Sequence, residues 1–265
     1  MTAVPLLGWW RLRRTTSNQL VDSPDNELVR RLRRFGRRRP PGEVLLEGPR
    51  VVGEALACGI ELAVLALREG ISFDAPAARV VTLGERAFKS LSQTVTPQGV
   101  MAIARCDEVP IATALAAARN AGWPLVVLDG LQDPGNVGTI CRTAAATGAP
   151  AVAVLDSSAD PYGPKAVRAS AGTVLRLAVA RGGWDELAGL RGYGAAATGG
   201  VSYDRVELTT AALLAFGSEA RGLRRNDLEL VTIPMAPGVD SLNVAAAAAV
   251  LLYEVRRRVA RERTV

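Results

Sequence analysis

An α/β chain built on a largely parallel sheet is what this sequence predicts, and three observations carry that reading. Short apolar runs alternate with helical patterns along most of the 265 residues. Glycine and proline punctuate the junctions between them, as at Gly59, Pro110 and Gly148. The composition, 49% hydrophobic and 22% charged, is that of a globular chain. Ligands of such sheets bind in the loops that follow the carboxyl ends of strands, so chemistry is expected in those loops.

Ser23-Pro24-Asp25-Asn26 reads as a helix start, with Leu28, Val29, Leu32 and Phe35 as the apolar stripe. The run GRRRPPG at 36–42 ends that helix. A strand is expected at 44–46, a helix at 49–58 stopped by Gly59, and strands at 62–67, 80–83 and 99–104. Residues 107–122 read as a connecting segment with a helical, alanine-rich portion. A second alternation follows: strand 125–128, helix 137–147 stopped by Gly148, strand 151–155, helix 165–170, strand 175–180 and helix 184–190. Strands at 195–198, 213–216 and 231–234 and a last helix from 241 to about 261 complete it. The expected division is a flexible tail at 1–18, a smaller domain at 19–106, a linker at 107–120 and a larger domain at 121–265.

The chain has no histidine, which removes Ser-His-Asp and Cys-His catalysis and His-ligated zinc. The three cysteines, Cys58, Cys106 and Cys141, are far apart and odd in number. They form neither a disulfide framework nor a zinc site, so a reducing cytoplasm is expected and no metal. The apolar stretch 3–10 is too short to cross a membrane and precedes its arginines, the reverse of a signal peptide.

Basic residues outnumber acidic ones 32 to 26, a net charge of +6, and lysine occurs only at Lys89 and Lys165. Ten arginines fall between Arg11 and Arg39 against three acids, Asp22, Asp25 and Glu27. A clustered arginine field points to phosphate, hence to nucleic acid, although a solvated helix face with a flexible arm reads the same way. With only 5% aromatic residues, a base-stacking platform is not expected.

Gly192-Tyr193-Gly194 followed by Ala195-Ala196-Ala197 matches a dinucleotide fingerprint in letters only, because it leads into a strand rather than opening a helix. A nucleotide-dependent oxidoreductase has nothing else in its favour, and no phosphate-binding GxxxxGK[ST] loop occurs. Three other segments stand out. The first, Leu128 to Arg142, crowds Gly130, Pro134, Gly135 and Gly138 into a strand-to-helix junction with Asn136 and Arg142 behind it. Such a junction brings backbone N–H groups up to a ligand. The second, Phe216-Gly217-Ser218-Glu219-Ala220-Arg221-Gly222-Leu223, ends an apolar strand in glycine and an acid. The third runs from Ile233-Pro234-Met235 to Ser241-Leu242-Asn243 at the entrance of the last helix, where Ser241 taken alone reads as an N-cap.

Together and in this order the three segments resemble the signature motifs of the SpoU (TrmH) family of RNA ribose 2′-O-methyltransferases, in the SPOUT superfamily. Upstream, Glu47-Gly48-Pro49-Arg50 and Thr96-Pro97-Gln98-Gly99-Val100 resemble that family's N-terminal substrate-binding domain, so the likeness spans residues from about 20 to 258. The resemblance implies a C-terminal SPOUT domain with a deep trefoil knot and a smaller N-terminal domain similar to ribosomal L30e. It implies S-adenosyl-L-methionine as cofactor, held by Gly217, Ile233 and Leu242 with Thr198 and Met235. It implies a catalytic set of Arg142, Asn136, Glu219, Ser241 and Asn243, and a homodimer whose site combines two chains.

By the same resemblance Arg142 is the proton acceptor. Arginine chemistry offers a second role, positioning phosphate and developing alkoxide while water takes the proton. Asn136 and Asn243 read equally as loop scaffolding. The arginine-rich region becomes an RNA anchor, with Arg30, Arg34, Arg37 and Arg50 as contacts. Departures occur at Ser218 and Ala220, and at Ala245-Ala246-Ala247 where the family has Ser-Val-Ala, which puts substrate fit in question. The expected function is methylation of a ribose hydroxyl in 23S ribosomal RNA, as housekeeping or as antibiotic self-resistance. A tRNA methyltransferase and a non-catalytic RNA-binding assembly factor are the alternatives.

Overall fold

The computed structural model describes residues 20–35, 39–92, 94, 96–218 and 220–262. The chain divides into two compact units, Met1–Cys106 and Asp107–Val265. The tail expected at 1–18 lies outside the described residues.

The first unit runs β1 (Leu20–Val21), α1 (Glu27–Arg34), β2 (Glu43–Glu47), α2 (Pro49–Ala57), β3 (Leu62–Arg68), β4 (Val80–Leu83), α3 (Glu85–Lys89) and β5 (Val100–Arg105). Its sheet has the order β1-β4-β3-β5-β2. β1, β4 and β3 run parallel, whereas β5 is antiparallel to both β3 and β2. The Asn26 side chain accepts the Leu28 N–H at 2.9 Å and so caps α1. Leu28, Val29, Leu32 and Phe35 then pack into a core with Val64, Leu83, Phe88 and Ile103. The strand β1 and the helix α3 go beyond the sequence expectation, because two and five residues are too few to show a period. Gly48 N–H donates to the Val100 carbonyl at 2.9 Å, which brings the EGPR and TPQGV segments side by side.

The second unit runs α4 (Ile111–Asn120), β6 (Leu125–Asp129), α5 (Pro134–Thr147), β7 (Ala151–Leu155), α6 (Pro164–Ala169), β8 (Ala178–Gly182), β9 (Gly192–Ala195), β10 (Val201–Ser202), β11 (Leu213–Gly217), β12 (Glu229–Thr232) and α7 (Val244–Glu262). All neighbours in the order β10-β12-β9-β11-β6-β7-β8 are parallel. Residues alternate between the two faces of each strand. Leu125, Val127, Ala153, Leu213 and Ala215 meet Ile111, Ala114 and Ala118 of α4 on one face. Val126, Leu128, Val152, Val154, Leu214 and Phe216, on the other, are equally buried, which is why these strands read as unbroken apolar runs.

Several boundaries differ from expectation. The segment 107–120 contains α4, whose buried side chains make it an integral layer of the second unit. Part of the strand expected at 175–180 is a 3-10 turn, Thr173–Arg176, and β8 starts after it. Only a 3-10 turn, Trp184–Leu187, forms within 184–190. The strand expected at 195–198 is instead the glycine-rich Gly192–Ala195 itself. That sequence has little β-propensity of its own, and its place is set by pairing with β11 and β12 on both sides.

Candidate active site

All three unusual segments leave carboxyl ends of parallel strands: β6 runs into Gly130, β11 into Ser218 and β12 into Ile233. β6 and β11 are neighbours, with β7 and β8 on one side and β9, β12 and β10 on the other. The chain order reverses at β6, and such a switch point is where open α/β sheets bind ligands.

A cavity of about 610 Å³ lies at these strand ends. Thr198, Gly217, Ile233, Met235 and Leu242 all line it, and so does Ser241. Its walls are held by short bonds: Ala196 N–H donates to Val231 O at 2.9 Å, and Thr232 Oγ1 donates to Ala197 O at 3.0 Å. Gly217 is required by packing. A Cβ there would lie 2.3 Å from the Gly222 carbonyl carbon and 2.5 Å from Leu223 N, where the chain turns back on itself. The turn is closed by Gly222 N–H donating to Ser218 O at 2.8 Å and Arg221 N–H donating to Ser218 Oγ at 3.1 Å.

Asn243 joins two of the segments. Its Nδ2 donates to Asn136 Oδ1 at 3.2 Å, and its Oδ1 accepts the N–H of Ala245 at 2.9 Å. The cap of α7 is therefore Asn243 and not Ser241, which is exposed on the cavity rim. Asp133 caps α5 by accepting the Gly135 N–H at 3.2 Å, and Lys165 Nζ lies 2.7 Å from the same carboxylate. The lysine's hydrogen bond, then the Gly135 N–H, holds the Asp133 carboxyl below the usual carboxylate range. Gly138 is fixed by helix crossing, since a Cβ there would lie 2.2 Å from Ala166 O on α6.

Arg142 is exposed on α5 and is not part of the cavity wall. Six residues separate it from Asn136, so the two side chains leave the helix in different directions. Cys141 beside it is buried, and burial pushes its thiol up to about 12, which makes it inert. Glu219 lies outside the described residues, as does Arg37. Arg34 and Arg50 are exposed, and Arg30 lies 3.4 Å from Asp25 in an open ion pair. Among the described residues no cluster of carboxylates and cysteines could hold a metal ion.

Sequence reasoning missed Asp129. It ends an otherwise apolar strand, LVVLD, and that position was its signal. Fully buried, it accepts Arg224 N–H at 2.7 Å and Arg224 Nε–H at 2.8 Å across 95 residues. Arg225 anchors the opposite side of the same loop, donating to Leu187 O at 2.9 Å and Leu190 O at 3.0 Å. Ser157 Oγ, near Gly130 and Ser218, is buried with no partner among the described residues.

The chain is 33% identical over 253 residues to the 23S rRNA (guanosine(2553)-2′-O)-methyltransferase RlmP of Bacillus subtilis (strain 168), covering 89% of this chain and 98% of that protein. The model of the SpoU rRNA Methylase family matches residues 124–253, and that of the MRM3-like substrate binding domain matches residues 26–102. The chain belongs to the SpoU methylase family. A crystal structure of an AdoMet-bound rRNA methyltransferase from Sinorhizobium meliloti is similar with a TM-score of 0.76 and 28% identity, covering 91% of this chain and 98% of that one. The SpoU methyltransferase AviRb from Streptomyces viridochromogenes, in complex with AdoMet, gives 0.78 and 25%, covering 88% and 98%.

This SpoU protein is a methyltransferase that uses S-adenosylmethionine. The cavity suits that cofactor. Its volume falls in the range of small-molecule sites. Its lining combines the alanines 195–197 and several leucines with Gly217, Ile233 and Leu242. The cofactor carries no phosphate, which agrees with the lack of a phosphate-cradling loop.

Proposed function

We propose that this SpoU enzyme transfers the methyl group to a ribose 2′-hydroxyl of 23S ribosomal RNA. The observation that carries the reading is the end-to-end similarity to RlmP, which includes both units. Bound S-adenosylmethionine supplies a methyl carbon already activated by its sulfonium. The chain's part is to align the hydroxyl with that carbon, exclude water and manage one proton. Thr198, Gly217, Ile233, Met235 and Leu242 hold the cofactor. Asn243 fixes Asn136, and with it the start of α5, against the entrance of α7. Arg142, further along α5, meets the ribose hydroxyl and its neighbouring phosphate and steadies the developing alkoxide while solvent takes the proton. Ser241 on the cavity rim orients the ribose, and Glu219 belongs to the same catalytic set.

Arg30, Arg34, Arg37 and Arg50 contact RNA phosphates in the first unit. A deep trefoil knot in the second unit, as the family resemblance implies, supports the cavity. The enzyme acts as a cytoplasmic homodimer. Support for dimerisation is that α5 and α7 pack together while α7 leaves Ala246, Val250 and Tyr253 exposed and α5 leaves Arg142 and Ala146 exposed, side chains that a second copy would cover. The test is methylation of unmodified 16S, 23S and tRNA transcripts with labelled S-adenosylmethionine. Incorporation into 23S alone is the expected result, and preferential labelling of tRNA would overturn the assignment.

A further inference from the structure

Two adjacent arginines, Arg224 and Arg225, hold the loop that follows β11, but they spend their donors differently. Arg225 is nearly covered, its side chain 11% exposed. Its terminal nitrogens reach Leu187 O, Leu190 O and Asp227, and its guanidinium lies 5.5 Å from the centre of the Trp184 ring. Each of the three nitrogens of that fork has an acceptor. Arg224 is anchored only from behind: its backbone N–H and its Nε both reach the fully buried Asp129. Among the described residues its two terminal amino groups have no hydrogen-bond or ion-pair partner, and its side chain is 51% exposed.

A guanidinium locked at Nε by a buried carboxylate, with its outer edge open to solvent, is pre-organised for a bidentate oxyanion. The buried carboxylate fixes orientation, and the two parallel N–H bonds remain available to the ligand. Two oxyanions occur in this reaction, the RNA phosphodiester and the carboxylate of S-adenosylmethionine. Leu223 and Arg225 line the cavity and Arg224, between them, does not. Gly222 and Asn226 line it as well, so Arg224 is the one residue of 222–226 outside its lining, held instead against Asp129 at the end of β6, where β6 and β11 deliver the first two segments.

We propose that Arg224 binds a phosphate of the substrate RNA next to the methylated nucleotide, with Asp129 as its positioning residue. The inference rests on the RNA reading above.

The test titrates full-length protein with an unmodified 23S rRNA transcript over a series of salt concentrations, and separately with S-adenosylmethionine. With Arg224→Ala, transcript affinity falls about tenfold and the slope of log affinity against log salt falls by about 0.7–0.9, the share of one phosphate. S-adenosylmethionine affinity stays at the wild-type value, which also reports that the site is folded. Arg224→Lys keeps the charge without the Nε anchor, restoring the salt slope but only part of the affinity. Asp129→Asn lowers transcript affinity about threefold, since the anchor loses its charge assistance, and leaves cofactor affinity in place. Unchanged transcript affinity and slope in Arg224→Ala would overturn the proposal. So would weaker binding of S-adenosylmethionine with 5′-methylthioadenosine unaffected, which would give the fork to the cofactor's carboxylate. A loss for both nucleosides would make Arg224 a loop prop and nothing more. If wild-type protein binds no transcript, the RNA reading itself fails. If wild type binds and Arg224→Ala binds equally, only the Arg224 assignment fails.

Discussion

The two units put their polar groups to opposite uses. In the first, Arg30, Arg31, Arg33 and Arg34 of α1 lie exposed over an apolar core, the first three in surface contacts with Asp25, Glu43 and Ser90. In the second, polar groups are spent on one another: Asp129 on Arg224, Asn243 on Asn136, and Arg258 on Glu254 and the carbonyls of Tyr203 and Val206. The charge that the first unit presents is of the kind that salt screens. In the second, paired and buried charges hold a geometry that salt screens far less, with the half-exposed Arg224 as the exception. Substrate capture and methyl transfer should therefore fail separately under mutation.

The largest effect is expected at Gly217. Gly217→Val places carbon where the Gly222 backbone already lies, so S-adenosylmethionine binding is lost in calorimetry and the melting temperature drops. Next comes Arg142→Ala, expected to lower turnover by about 10²–10³-fold, the usual worth of one charge-stabilising donor. Its affinity for S-adenosylmethionine stays near wild type, because Arg142 is outside the cavity wall. Normal turnover in that variant would remove Arg142 from the chemistry.

Glu254 tests the internal pairing by pH. Hydrogen bonds from Arg257, then Arg258, hold its carboxyl at about 2 against an ordinary 4.5. The stability this supplies is full above pH 4.5 and is lost as the pH falls towards 2. Glu254→Gln should cost about 2 kcal/mol at neutral pH by denaturant titration, the loss shrinking on acidification. Asn243→Ala removes a helix cap and should cost about 1 kcal/mol, together with a drop in turnover as Asn136 is released. The smallest effect belongs to the first unit. Arg34→Ala or Arg50→Ala should weaken RNA binding by about twofold to fivefold at low salt and hardly at all at high salt. A salt-independent loss would contradict the division of labour between the units.

The alternation of apolar runs made the α/β class legible, because strands such as Ala151–Leu155 are buried on both faces and carry no polar interruption. Gly192–Ala195 was misplaced for the converse reason: it owes its strand to neighbours rather than to its residues. The three site segments were legible as a set through family resemblance, and the structure gathers five cofactor candidates along one cavity. Local pattern could not show that Asn243 rather than Ser241 caps α7, since both are good caps three residues or fewer from the helix. Nor could it show the Asp129–Arg224 pair, whose partners are 95 residues apart and meet only through the order of β6 and β11 in the sheet.

The position of the methyl group on the RNA is read directly by alkaline hydrolysis. A ribose 2′-O-methyl blocks cleavage of the adjacent phosphodiester, so a 23S transcript methylated with labelled S-adenosylmethionine should release its label only in one alkali-resistant dinucleotide. Label recovered in ordinary mononucleotides would place the methyl on a base and contradict the account.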